Sequence, residues 1–169
     1  KEVYEKLYKP TNPGPDDWTT KLVFGPATEA PDVPDSTLYD GQVADRAVAS
    51  LKELSQQPDE PFFMAVGFIK PHSPYIAPKK YWDFYDPEAI DIVGQTDFLE
   101  GVPKIALHNS GELRRYTDQA KTGPIPDEAQ RRVKHAYYAC ISYIDAQVGR
   151  VLAELDAQGL RDNTIVVLW

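Results

Sequence analysis

The chain has 169 residues, 42% of them apolar, which is one ordinary domain or part of a larger one and excludes disorder by composition. Eighteen Lys and Arg against 26 Asp and Glu give a net charge of −8, which a phosphate backbone would repel, so no nucleic-acid partner is expected. An anionic small substrate remains compatible, through a local group of Lys, Arg and His. No apolar run approaches the length of a membrane span, and Lys1-Glu2-Val3-Tyr4 lacks the apolar stretch of a signal peptide. A start at Lys rather than Met reads as an internal piece of a longer chain. The single cysteine, Cys140, excludes an intrachain disulfide.

Residues 1–35 carry six of the fifteen prolines and are expected to be an irregular surface segment, with Trp18, Leu22, Val23 and Phe24 packed on a neighbour. A helix is expected from about Gly41 to Gln56. Asp40 would be its cap, and Val43, Ala47, Leu51 and Leu54 its apolar stripe, with Ala44 and Val48 beside them. Pro61 to Ile69 is apolar without alternation and reads as a strand buried on both faces of a parallel sheet. Lys70-Pro71-His72-Ser73-Pro74-Tyr75 would end it, because proline cannot extend a ladder. A short helix is expected over Lys79 to Tyr85.

Residues 86–125 read as a long substrate-side loop, with a helical turn around Gly111 to Gln119 capped by Ser110. The strongest helical period runs from Asp127 to Gln158, with Pro126 just before it and Gly159 as its end. Asn163 to Trp169 reads as a second buried strand. Helix, strand, long crossover with a helix, and strand make an α/β pattern with parallel strands and a right-handed crossover.

Ligands in open parallel sheets bind beyond the carboxyl ends of strands, which points to Lys70 through Tyr75. On an extended backbone Lys70 and His72 face one side. A compact cation and an imidazole that donates hydrogen bonds or passes protons suit a sulfate or phosphate ester. The same three residues also fit a surface Lys beside a His at a strand end. His108 in the loop and His135 on the long helix read as solvated, and so does the Arg131-Arg132-Val133-Lys134 cluster. Cys140 falls on the apolar stripe and reads as a buried, inert thiol. Tyr137, Tyr138 and Tyr143 read as packing residues. Asp83, Asp86, Glu88, Asp91 and Asp97 lack the spacing of a calcium loop. No residue here is assigned to a metal.

Several stretches together resemble the sulfatase family. They are Gly41 to Ala47, Pro61 to His72, Pro78 to Trp82, Tyr85-Asp86-Pro87, Tyr137 to Leu152 and Asp162 to Trp169. They cover most of residues 36–169 in order, and Lys70-Pro71-His72 with Gly123-Pro124-Ile125-Pro126 is similar to the iduronate-2-sulfatase branch. The resemblance implies part of an alkaline-phosphatase-like α/β sandwich, with a mainly parallel central sheet flanked by helices. Within it, residues 36–85 would form the helix, strand and sulfate-contact loop, and 126–169 the long helix and strand. It implies hydrolysis of sulfate esters on a sulfated sugar or polysaccharide, with a formylglycine made from a cysteine in Cys-x-Pro-Ser-Arg and a bound calcium. That motif is absent, since Cys140 is followed by Ile141 and Ser142, and the calcium carboxylates would lie outside this chain. His72 matches the histidine that contacts the sulfate and would be a proton source for the leaving oxygen. Lys70 would be a further substrate contact. The parent protein would be exported (periplasmic, secreted or lysosomal), and residues 1–169 alone would be inactive and prone to self-associate. Two other readings stand beside this one: a phosphodiesterase or phosphonate hydrolase of the same superfamily, and a non-catalytic α/β binding or structural domain.

Overall fold

The long helical period that begins at Asp127 becomes the longest element of the structure. The computed structural model describes residues 24–92, 101, 103 and 110–169. Along the chain come β1 (Thr28–Glu29), α1 (Tyr39–Leu54), β2 (Tyr75–Ile76), α2 (Lys79–Trp82) and α3 (Asp127–Ala157), with 3-10 turns at Asp35–Thr37, Pro87–Ala89, Leu113–Arg115 and Arg161–Asn163.

α3 runs unbroken for about 46 Å. Pro126 precedes it in an extended conformation, and Asp127 and Glu128 place negative charge at its positive end. At the other end Gly159 adopts a positive φ of 68°. Its N–H donates to the Asp156 carbonyl (3.0 Å), and that of Leu160 to the Leu155 carbonyl (3.1 Å). Those two bonds close a helix wherever a residue without Cβ can turn left-handed.

α1 begins two residues earlier than the sequence suggests and ends at Leu54. It runs alongside the C-terminal half of α3 and in the same direction. Gly41 meets Tyr143, Asp45 meets Arg150, Lys52 meets Glu154 and Ser55 meets Gln158. Ala44, Ala47 and Leu51 are buried on α1, and Tyr143, Gln147 and Leu155 in that half of α3. At Gly41 the preceding Asp35–Thr37 turn folds against α1, and an added Cβ would overlap the Asp35 carbonyl and come within 2.8 Å of the Ser36 nitrogen.

The proline-rich segment is not wholly irregular. β1 pairs with β2 in parallel, Thr28 beside Tyr75 and Glu29 beside Ile76. The pairing continues through Tyr75 N–H to Ala27 O (2.7 Å), Ala77 N–H to Glu29 O (3.3 Å) and Lys79 N–H to Pro31 O (2.8 Å). Alternate residues point their donors the same way, so the ladder simply starts one residue after Pro74. Phe24 packs edge-on against Tyr116 at 5.1 Å. Trp18, Leu22 and Val23 lie outside the described residues.

The two expected buried strands form no ladder among the described residues. From Phe62 to Ile69 the side chains alternate between half-buried and exposed, with Phe63 92% exposed. Ile165, Leu168 and Trp169 are also exposed. Backbone of strand character becomes a strand only when neighbours complete it. What is formed is α/β with a small parallel sheet, its core being Leu38, Ile76, Tyr81 and Trp82 packed on Ala139, Cys140 and Tyr143 of α3. Each large apolar side chain there contributes about 1.5–3 kcal/mol.

Three smaller expectations are also corrected. The short helix ends at Trp82. The turn expected over Gly111 to Gln119 is a 3-10 turn at Leu113–Arg115, and the Ser110 carbonyl accepts from Arg114 N–H. The basic cluster is only partly solvated, with Arg132 exposed and Arg131 and Lys134 half-buried. Arg131 Nε donates to the Ile90 carbonyl, Arg132 Nε to Thr28 Oγ1 and Lys134 Nζ to the Asp91 carbonyl. His135 is half-buried, with Nε2 2.9 Å from the Trp82 carbonyl and its ring against Trp82. Long cationic side chains on α3 reach carbonyls that the irregular segments leave unpaired.

Candidate functional site

The segment from Lys70 to Pro74 is a turn rather than an extended strand. His72 N–H closes on the Ile69 carbonyl at 3.0 Å, and the Lys70-Pro71 and Ser73-Pro74 bonds are cis. The premise that Lys70 and His72 share one side of an extended backbone is therefore corrected: Lys70 is 8% exposed, whereas His72 stands exposed.

Three side chains hold this turn. Asp40, at 2% exposure, accepts from Ile69 N–H with Oδ1 (2.8 Å) and from Lys70 N–H with Oδ2 (3.1 Å). It does not cap α1, whose start has no side-chain cap. The Lys70 ammonium turns back on its own loop and donates to the carbonyls of His72 (3.0 Å) and Pro74 (2.6 Å). Burial holds its pKa below the usual lysine value, opposed by the nearby Cys140 and Asp40. Ser73 Oγ donates to Glu112 at 2.5 Å, which ties the turn to the segment after Ser110.

His72 is thus displayed on a rigid base. Its Nδ1 lies 2.8 Å from the Ser73 carbonyl. A carbonyl only accepts, so Nδ1 carries the hydrogen, and Nε2 is left as the reactive nitrogen. His135 is committed to Trp82 rather than to His72, and His108 lies outside the described residues.

Behind the turn is a polar hub that sequence reasoning missed. Asp35 accepts from the Tyr81 hydroxyl (2.7 Å) and the Gln147 amide (3.0 Å) and pairs with Lys80 (2.8 Å). Burial alone would raise its pKa, but these donors and the lysine charge outweigh burial and lower it. The buried Gln147 also accepts from Arg150, which pairs with Asp45. Tyr143 donates to the Asp35 carbonyl (3.1 Å) and accepts from Gly41 N–H (2.6 Å), and burial pushes its hydroxyl pKa up. The Cys140 thiol is pushed up by burial to about 12, as fits an inert core thiol.

Beside the turn lies a cavity of about 410 Å³. Tyr75 and Tyr137 form one part of its wall, and Leu113, Ile125 and Val133 the rest, with Lys134 and Gln130 at its polar points. Among the described residues no three His, Cys, Asp or Glu side chains converge as a metal site would require. Asp83 pairs with Lys79, and Asp86 caps the Pro87–Ala89 turn, while Asp97 lies outside the described residues.

Residues 3–169 match the family model described as Sulfatase. The chain belongs to the sulfatase family. It is 36% identical over 141 residues to iduronate 2-sulfatase of Homo sapiens, covering 80% of this chain and 26% of that protein. The mouse (Mus musculus) iduronate 2-sulfatase matches at 36% over 141 residues, covering 80% of this chain and 25% of the mouse protein. A sulfatase of Formosa agariphila matches at 35% over 121 residues, covering 70% of this chain and 23% of that protein. The chain therefore spans about a quarter of the length of the curated relatives it matches. For a sulfatase segment, the turn at His72 is the place where the described residues offer an exposed proton-carrying group on a buried polar base.

Proposed function

We propose that this chain supplies one wall of an active site that hydrolyses sulfate esters of sugars. The observation that supports the reading is His72, exposed on a turn fixed by Asp40, Lys70 and the Ser73–Glu112 bond. With Nδ1–H bound to the Ser73 carbonyl, Nε2 donates to an ester oxygen when the ring carries both protons. A donor aimed at the oxygen on which charge develops lowers the barrier to S–O cleavage, and the same proton can pass to the leaving sugar oxygen.

Lys70 has a narrower part in this proposal. Two of its donors are spent on the carbonyls of His72 and Pro74, so it holds the loop and adds positive charge, with one N–H left to face a substrate.

The finer family expectations belong to the same proposal. The segment would form part of an alkaline-phosphatase-like sandwich, with residues 61–69 and 163–169 completed by further strands of a central sheet. The formylglycine and the calcium do not fit the residues described. Cys140 is buried mid-helix outside any Cys-x-Pro-Ser-Arg motif, and no carboxylate cluster is formed among the described residues. No step is derived through either group.

The test is His72→Ala in the full-length enzyme, assayed on sulfated sugars with phosphate mono- and diesters as controls. Losing a donor and proton source should lower kcat on sulfate esters by about 10²–10⁴-fold. Retention within twofold would remove His72 from the chemistry. Faster turnover of the phosphate esters would move the reading to phosphoester hydrolysis.

A further inference from the structure

We propose that the cavity walled by Tyr75 and Tyr137 is a leaving-group subsite that seats the sugar ring next to the sulfated one. The inference rests on the sulfatase reading and adds to it the second ring and the residues that select it.

Position comes first. Tyr75 is three residues from His72, so their Cα atoms are separated by at most about 11 Å even if the chain between them were straight. The chain there is turned, and the true separation is shorter. The Ser73–Glu112 bond joins the His72 turn to the segment whose next residue, Leu113, forms another wall of the cavity. His72 and the wall residue Tyr75 therefore sit on one loop, which the Ser73–Glu112 bond anchors beside Leu113; in the proposal a sulfate at Nε2 of His72 directs its leaving group toward this cavity.

Size and chemistry then narrow the occupant. A volume of about 410 Å³ is far more than a sulfate needs and falls in the range of small-molecule sites. The rings of Tyr75 and Tyr137 meet edge to face, 6.0 Å apart at 77°. Tyr137 nevertheless remains 40% exposed. The negative face of a tyrosine ring attracts the polarised C–H groups on the apolar face of a pyranose. Leu113, Ile125 and Val133 extend that apolar surface.

Charge narrows it further. Among the described residues lining the cavity Lys134 alone is charged, and its Nζ is fixed by the Asp91 carbonyl at 2.6 Å. A fixed cation favours a neutral or anionic ring, such as a hexose or uronate, and disfavours a cationic leaving group. Two aromatic rings alone would also suit a quaternary ammonium, and Lys134 decides against it.

The experiment uses the full-length enzyme and three sulfate esters: a sulfated disaccharide, the matching sulfated monosaccharide, and choline O-sulfate. kcat/KM is compared for wild type, Tyr137→Ala, Tyr137→Phe and Lys134→Gln. The expected result is that Tyr137→Ala lowers the disaccharide-to-monosaccharide ratio about tenfold, chiefly through KM, and that Tyr137→Phe, which keeps the ring, restores it. Lys134→Gln should narrow the preference for the disaccharide over the choline ester. A ratio unchanged within twofold in Tyr137→Ala, in an active enzyme that melts like wild type, overturns the subsite and leaves the sulfatase reading intact. A wild-type enzyme that hydrolyses none of the three overturns that reading and the subsite with it.

Discussion

Replacing Asp40 by Ala and by Asn separates two roles that the sequence alone cannot distinguish. As a helix cap, Asp40 would cost about 1 kcal/mol on truncation to Ala, and Asn would replace it with almost no loss, since the two cap equally well. The structure places it differently. Each carboxylate oxygen accepts from a separate backbone N–H, Ile69 at 2.8 Å and Lys70 at 3.1 Å, and the side chain is 2% exposed. Hydrogen bonds to a charged group contribute about 1.5–3 kcal/mol each, so Asp40→Ala should cost about 3–5 kcal/mol. Asn has one oxygen and must turn its NH₂ toward the other N–H, so Asp40→Asn should still cost about 2 kcal/mol. Urea unfolding of the full-length enzyme, followed by circular dichroism with linear extrapolation, measures both. Because the same two bonds seat the His72 turn, kcat should fall in both variants. If Asp40→Asn lies within about 0.5 kcal/mol of wild type while Asp40→Ala loses about 1, the cap is right and the clamp is refuted.

Other outcomes follow from the same geometry. With its pKa at about 12, Cys140 should resist a thiol reagent at pH 8, where its thiolate fraction is on the order of 10⁻⁴, and react at once in guanidinium chloride; fast labelling of the native enzyme would contradict its burial. Asp35 has its folded pKa lowered from 3.8, so its contribution to stability is full above the unfolded value and is lost as pH falls through the folded one. The stability gap between wild type and Asp35→Asn should therefore shrink below about pH 4, and a constant gap would refute the coupling. Residues 1–169 expressed alone should self-associate through Phe63, Ile165 and Leu168, which are 92%, 93% and 81% exposed; a monodisperse monomer in sedimentation velocity would count against this.

The helices were legible because their information is local. The period of α3, the acidic residues in its first turn and the glycine beyond its end all lie within one continuous stretch, and the observed Asp127–Ala157 stops one residue short of the expected end. The sheet was less legible because pairing depends on distant partners. Nothing in the composition of Pro61 to Ile69 says whether a neighbouring strand is at hand. Nothing in Thr28 and Glu29, set among prolines, announces that they pair with residues nearly fifty positions on.

The site divides along the same line. His72 could be singled out from its place beyond an apolar run, and it stands exposed on its turn. Its supports could not, because the groups they bond are set by the folded turn and not by sequence position. Asp40 was read as serving the helix it begins, yet it serves backbone 29 residues away. The sequence points Lys70 to a substrate, and the structure adds that its ammonium also closes on carbonyls two and four residues along. Arg131 and Lys134, expected to be solvated, are half-buried and reach the carbonyls of Ile90 and Asp91 in an irregular segment, while Arg132 stays exposed and bonds Thr28 of β1. The shared cause is that irregular backbone near a site leaves polar groups unpaired, and charged side chains from regular elements are drawn in to satisfy them. A charged residue beside a proline-rich turn is therefore at least as informative about what holds the turn as about what the turn binds.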